Sequence, residues 1–351
     1  MRGGEKCLEA LCRLYPQADI YTLFFEKSKI SGQILDHTIY ESRLRRYPKF
    51  LSFYRAYLPF FPGAIESFAL KDYDLVISTS HCVAKGIRKN LRAKHLCYCF
   101  TPMRYAWGFF EEYFGKRSVL TKSALRFFLR VLREWDLRSN EGVDQFVAIS
   151  EHVKNRIREF YARDAEVVYP PVNTEFFAPD PKVAREDFYL VVTALVPYKK
   201  TDLAVGAFNR MKQRKLVVIG DGPEKFMLQK MAGSNIRFLG WQPDEVIRGY
   251  YRRARALIFP GEEDFGIVPV EAQSCGLNVI AYGRGGALET VNEKTGLFFD
   301  QQSEAALIRA VEVFESSSWD PARARANALG FGQHRFENQM RSSIERILNK
   351  K

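Results

Sequence analysis

Short apolar runs alternate with stretches of helical spacing along most of this chain. In the second half the runs are Tyr189–Thr193, Lys215–Gly220, Ile236–Leu239, Ala256–Pro260, Val279–Tyr282 and Leu297–Phe299. A helical pattern follows the first of them, with Thr201-Asp202 expected as its cap and Leu203, Ala204, Ala207, Phe208 and Met211 spaced three or four apart. Gly222-Pro223 is expected to open another helix, with proline in its first turn. Buried strands that alternate with helices predict βαβ units and a parallel, doubly wound sheet. The first half repeats the alternation at Ile20–Phe24, Leu75–Thr79, His95–Phe100, Gln145–Ile149 and Val167–Tyr169. Pro170-Pro171 cannot continue a central strand. The predicted organisation is therefore one α/β domain over residues 1–171 and a second over 172–325. A carboxyl-terminal helical segment, 326–351, is expected to pack back on the first domain.

Composition narrows the class. Of 351 residues, 46% are hydrophobic and 27% charged, which excludes wholesale disorder. No run of 18 apolar residues exists, so no transmembrane helix is predicted. The first residues lack the apolar core of a signal peptide. The six cysteines show neither zinc spacing nor the density of a disulfide scaffold, and the expected compartment is the reducing cytoplasm.

The formal charge is +12 and is uneven. Residues 1–172 hold 28 Lys and Arg against 19 Asp and Glu; the remainder is nearly balanced. Two stretches interleave the excess with aromatics. One is Arg43, Arg45, Arg46, Tyr47, Lys49, Phe50, Phe53, Tyr54, Arg55, Tyr57, Phe60 and Phe61; the other is Lys122, Arg126, Phe127, Phe128, Arg130, Arg133 and Trp135. Such stretches suit an anionic membrane surface or a lipid phosphate, or else they are solvated helix faces whose aromatics lie in the core. No RNA-binding or helix-turn-helix signature accompanies them, so nucleic acid is not an expected partner.

Two parallel α/β domains would bind a ligand at the carboxyl ends of their strands. The sharpest chemistry there is Glu263-Asp264-Phe265-Gly266-Ile267-Val268-Pro269-Val270-Glu271. Free amides at Gly266, Ile267 and Val268 would point from a helix start and form an anion site. If the whole segment were helical, Glu263 and Glu271 would stand about 12 Å apart. That exceeds the roughly 5–9.5 Å of a hydrolase pair, so they are expected to grip different parts of one elongated ligand. Lys199 and Lys200 lie in a loop after a strand, where they can neutralise a leaving diphosphate. His81 follows a strand, and Arg104, Tyr105 and Trp107 follow the next. Arg104 suits an acceptor phosphate, and the rings suit a sugar face or the core. Asp72-Tyr73-Asp74 precedes a strand and is read as a loop, so no metal site is expected.

The segment Glu263–Glu271 resembles the E-x7-E signature of the family 4 retaining glycosyltransferases, with Phe265-Gly266 matching the family's Phe-Gly pair. Lys199, the Gly220-Asp221-Gly222-Pro223 turn and Gly285-Gly286-Ala287-Leu288-Glu289 recur in the same order. The resemblance implies a GT-B fold, two facing Rossmann-like domains with a cleft between them. It implies that Glu263 contacts the donor sugar, that Glu271 holds the nucleotide ribose, and that the Gly266–Val268 amides hold sugar and diphosphate. It makes Gly3-Gly4 a glycine loop beside the donor phosphates and His81 an active-site histidine. It departs in two places: Ala194 stands where the family usually has Arg, and no strand precedes Gly3-Gly4. The second departure carries the expectation that the native start lies upstream of Met1.

The resemblance is closest to bacterial polysaccharide mannosyltransferases of the O-antigen type. It implies transfer of a hexose, mannose from GDP-mannose, onto a lipid-linked glycan with retention and without a cofactor. The implied location is the inner face of the cytoplasmic membrane. A UDP-sugar-dependent transferase of the same fold and an inactive nucleotide-binding module at a membrane surface are the alternative readings.

Overall fold

The structure is a computed structural model, and it describes residues 3–47, 50–108 and 118–349. Met1, Arg2 and Lys49 lie outside the described residues, as do the side chains of Phe53 and Arg55. The chain forms two compact units. One comprises Met1–Pro171 with Phe336–Lys351, and the other is Val172–Arg335. Residues 326–335, expected with the carboxyl-terminal helix, therefore go with the second unit.

The first unit is built on four parallel strands in the order β3 (Leu75–Ser80), β4 (Lys94–Cys99), β5 (Gln145–Ala148) and β6 (Ala165–Val167). A separate parallel pair joins β1 (Ile20–Thr22) to β2 (Ile39–Glu41). The predicted strand Ile20–Phe24 is thus shorter than expected, and its partner β2 is a mostly exposed triplet with no apolar run to reveal it. The predicted Val167–Tyr169 falls two residues early, at Ala165–Val167, ahead of the prolines. The helix Gln333–Asn349 buries Phe336, Met340, Ile344 and Ile347. It is anchored in the first unit by Tyr98 against Phe336 and by Ser343 Oγ donating to Glu166 at 2.6 Å.

A buried charge pair organises this unit. Lys85 and Asp136 face each other at 2.9 Å with side chains 1% and 0% exposed. Asp136 also accepts from Trp107 Nε1 at 2.7 Å and from the Tyr161 hydroxyl at 2.8 Å. Four segments meet there: the turn after β3, the helices Arg104–Trp107 and Val119–Arg138, and the helix Glu151–Tyr161.

The second unit is a six-stranded sheet in the order β12-β11-β10-β7-β8-β9, parallel throughout. Its strands are β7 (Tyr189–Val192), β8 (Leu216–Ile219), β9 (Ile236–Gly240), β10 (Ala256–Phe259), β11 (Val279–Tyr282) and β12 (Gly296–Phe299). Every residue of β7 and β10 is buried, as a parallel strand covered on both faces requires. Helices Thr201–Arg210 and Glu304–Ser316 supply Phe208, Leu307 and Val311 to that core. The chain leaves β7 toward β8 on one side and later returns to β10 on the other. The switch point between β7 and β10 is where a doubly wound sheet opens a crevice at its carboxyl ends.

Removing Asp136 strands the Lys85 ammonium in the core. Asp136→Ala is expected to cost about 3–5 kcal/mol, read by chemical denaturation. A cost below 1 kcal/mol would show that the pair does not organise the unit.

Candidate active site

The loops after β7 and β10 meet at the switch point. After β7, Pro197–Lys199 form a single tight turn, and Lys200 takes a left-handed conformation at φ 54°. A lysine there is strained by about 1–2 kcal/mol relative to glycine. The expected cap at Thr201-Asp202 is displaced by this turn: Lys200 holds the cap position, and the helix begins at Thr201 without a side-chain cap.

Two glycine contacts fix the loop. A Cβ at Gly222 would stand 2.3 Å from the Leu195 carbonyl oxygen, and one at Gly261 would stand 2.9 Å from Lys199 Cα. The turn after β8 also clasps Leu195, which donates to Asp221 O at 2.9 Å and accepts from Glu224 N at 3.1 Å. Gly222 therefore acts first as a clearance for the lysine loop. The helix expected from Gly222-Pro223 starts later, at Lys225.

Glu263 stands just beyond β10. Its backbone pairs with Gly285 in a parallel bridge, and its carbonyl accepts from Gly286 N at 2.7 Å. A Cβ at Gly286 would lie 2.3 Å from Phe265 Cα, so the Gly285-Gly286 step is a backbone clamp on the glutamate segment. The clamped Glu263 carboxylate forms an ion pair with the Lys199 ammonium. Both side chains are mostly buried, 15% exposed for Lys199 and 18% for Glu263.

The helix on this loop is Ile267–Ser274, capped by Gly266 at φ 91°. Glu263 lies outside it, so the fully helical spacing to Glu271 does not apply. The first-turn amides of this helix have no partners within it and carry the positive end of its dipole. Glu271 points from its second turn and is 7% exposed. Its Oε2 accepts from the Tyr251 hydroxyl at 3.2 Å. Tyr251 is fully buried, and burial beside this carboxylate pushes its hydroxyl well above the ordinary tyrosine range.

The loop after β10 thus carries a carboxylate paired with the Lys199 ammonium and then a helix start, with Glu271 buried in the second turn of that helix. An ammonium and a helix start suit a diphosphate, and a carboxylate is able to accept from sugar hydroxyls. Lys200 is half-buried, and Ala194 is exposed.

In the first unit, Gly3 and Gly4 do not form a loop; they open the helix Gly3–Leu14. The apolar spacing of Cys7, Ala10 and Leu11 carries helical geometry back to the glycines. A Cβ at Gly4 would touch Phe100 at 3.4 Å, and the ring of exposed His81 lies 6.5 Å from the same phenyl. Phe100 thus brings Gly4 and His81 together at the carboxyl end of β4. Arg104, Tyr105 and Trp107 form one short helix. Tyr105 Oη lies 2.9 Å from Cys82 Sγ, and the Trp107 ring stacks on Phe160 at 5.3 Å. Both aromatics pack against the core of this unit.

Sequence reasoning missed Gly261, Phe100 and Tyr251. Gly261 follows a strand and a proline, which is a turn signal. Tyr251 sits inside a helix and gives none.

This sheet and its neighbour have the GT-B fold. HepE from Anabaena, solved with UDP and glucose, superposes with a TM-score of 0.69 over 98% of this chain and 96% of its own, at 17% identity. Sucrose-phosphate synthase from Thermosynechococcus elongatus gives a TM-score of 0.74 over 98% of this chain and 92% of its own, also at 17% identity. Residues 1–176 match the model of Glycosyltransferase Family 4, and residues 172–330 match that of Glycosyl transferases group 1. The chain belongs to glycosyltransferase family 4. It is 29% identical over 227 residues to a GDP-mannose-dependent alpha-(1-6)-phosphatidylinositol monomannoside mannosyltransferase of Mycolicibacterium smegmatis, covering 56% of this chain and 58% of the relative. The chain spans about half the length of the curated relatives it matches. Glycosyltransferases of this family use nucleotide-sugar donors.

Two substitutions test the geometry. Gly261→Ala drives a methyl group into the Lys199 backbone and is expected to cost about 100-fold in turnover, since displacements near 1 Å cost that much. Steady-state kinetics beside a melting curve separates this from unfolding. Tyr251→Phe is expected to raise the donor KM about tenfold with kcat nearly unchanged. An unchanged KM would remove Tyr251 from the site.

Proposed function

We propose that this protein is a retaining hexosyltransferase that moves mannose from GDP-mannose onto a lipid-linked oligosaccharide in cell-surface polysaccharide synthesis. It works as a peripheral protein at the inner face of the cytoplasmic membrane. Among the described residues, no helix is long and apolar enough to cross a membrane.

The observation that carries the reading is the Lys199–Glu263 pair beside the Gly266 helix start, at the switch point of a doubly wound sheet. Sugar transfer breaks the bond from the anomeric carbon to the diphosphate oxygen and forms one to an acceptor hydroxyl. Negative charge grows on the diphosphate. Lys199, Lys200 and the amides of Gly266, Ile267 and Val268 face that charge. Glu263 takes sugar hydroxyls, and Glu271, steadied by Tyr251, takes the ribose. A donor phosphate oxygen receives the acceptor proton on the same face, so no carboxylate base is needed. Gly3, Gly4 and His81 contribute from the first unit, as does Arg104 toward an acceptor phosphate. Tyr105 and Trp107 position that segment and offer ring faces. The mannosyltransferase relative, which its name describes as GDP-mannose-dependent and acting on a phosphatidylinositol glycolipid, supports the choice of donor and of a lipid-borne acceptor.

Lys199→Ala and Glu263→Ala are each expected to lower turnover about 100- to 1,000-fold while the protein stays folded. The assay incubates the chain with a panel of nucleotide sugars and lipid-linked acceptors. Near-normal transfer by both variants removes the assignment. Larger thermal stabilisation by UDP than by GDP transfers it to the UDP-sugar reading. Nucleotide binding with no transfer from any donor leaves the inactive module.

A further inference from the structure

The helix Ile267–Ser274 carries both the amide start and Glu271, yet it has only eight residues. It spans about 12 Å. A helix this short is marginal by itself, so its surroundings set its position. Its near end is fixed by the Gly285-Gly286 clamp. Its far end is fixed by side chains that come from well before and well after it in the sequence.

The last carbonyls of a helix have no partners within it, and a cation is favoured beside them. Two guanidinium groups take up this end. Arg325 Nη1 donates to Ser274 O at 2.9 Å and to Ser274 Oγ at 2.7 Å. The same nitrogen donates to Thr174 O at 2.7 Å and to Phe177 O at 2.8 Å. One atom thus ties the helix end to the segment that opens the second unit. Ser274 is fully buried at this junction. Arg185 Nη2 donates to Gly276 O at 2.6 Å, just past the helix. Arg185 Nη1 donates to Tyr251 O at 2.7 Å and to Ala254 O at 3.0 Å. Arg185 therefore joins the end of the helix that carries Glu271 to the end of the helix Asp244–Arg253, which carries its partner Tyr251.

The helix Pro321–Leu329 brings Arg325 into place. Its Ala324 and Ala328 are fully buried and four residues apart, so one face of it is small enough for close approach. Two residues after Arg325, Asn327 Nδ2 donates to Gln273 Oε1 at 2.8 Å and to Thr290 O at 3.0 Å. Gln273 Nε2 in turn donates to Thr290 O at 2.7 Å and to Pro269 O at 3.1 Å, in the first turn of the site helix. One supporting helix thus grips the site helix at its end and along its length.

We infer that Arg325 and Arg185 are positioning residues for the nucleotide-sugar donor. They hold the far ends of two helices so that the Gly266 amide start and the Glu271 carboxylate keep the spacing that a diphosphate and its ribose require. The inference rests on the donor-site reading above and adds to it two residues that act on the donor through a helix, without touching it.

The test is titration calorimetry of the whole chain with GDP and with UDP, beside a melting curve for each variant. Arg325→Met is expected to weaken nucleotide affinity about tenfold, because charge-assisted hydrogen bonds at a buried helix end are lost. Arg325→Lys is expected to return to within about threefold of the wild type, since the acceptors converge on one nitrogen and an ammonium offers three protons. Arg185→Met is expected to weaken affinity about fivefold, and Ser274→Ala about threefold. If Arg325→Met does not fold, Arg185→Met and Ser274→Ala decide the question. A purely structural role lowers the melting temperature and leaves the affinity of the folded variants at the wild-type value; that result overturns the proposal alone. A wild type that binds neither nucleotide overturns the donor-site reading and the proposal with it.

Discussion

The candidate site of the second unit is organised around one ion pair, between the ammonium of Lys199 and the carboxylate of Glu263. Two strands adjacent in space but far apart in sequence bring these groups together. Neither loop could reach the pair with ordinary side chains in the way. Gly261 admits the Lys199 backbone, Gly222 admits Leu195, and Gly286 admits Phe265. The site is thus defined as much by absent Cβ atoms as by charged groups. A mostly buried pair is also a demanding arrangement, because each ion has given up water for the other. Any anion that replaces Glu263 at Lys199 must bring comparable charge and geometry, which a diphosphate does.

The left-handed lysine sharpens this. Lys200 adopts a conformation that glycine would hold without strain. The strain is small against the cost of misplacing Lys199, and residues held in such conformations cluster at functional sites. A tight turn here directs Lys199 toward β10 and starts the next helix one residue later.

The second unit was legible because its strands are uninterrupted apolar runs between helical patterns, and burial on both faces demands that composition. Glu263, Gly266 and Glu271 stood out through spacing and helix-start chemistry. What the spacing does not give is the path of the chain ahead of that helix, where a backbone bridge to Gly285 holds Glu263. Such a bridge is a long-range contact with no local signature. The first unit was less readable for a related reason. β1 and β2 are three-residue strands with half-buried or exposed positions, and neither needs an apolar run. The family resemblance implied a loop at Gly3-Gly4, yet the buried stripe that follows carries both into a helix despite the low helix propensity of glycine.

The same competition explains the two basic segments. Interleaved arginines and aromatics do not reveal which rings face inward, since helical spacing leaves a choice of face. The core decides it. Trp135 and Leu132 are drawn in beside Leu44 and Phe61, and the helix must then turn Phe127 and Val131 outward. Water disfavours that orientation by about 25 cal/mol for each Å² of apolar surface left exposed. Solvated arginines alone would need no neighbouring phenylalanine. The face this helix presents is thus fixed by the long-range packing of Leu129, Leu132 and Trp135, and not by the order of charges and rings along it.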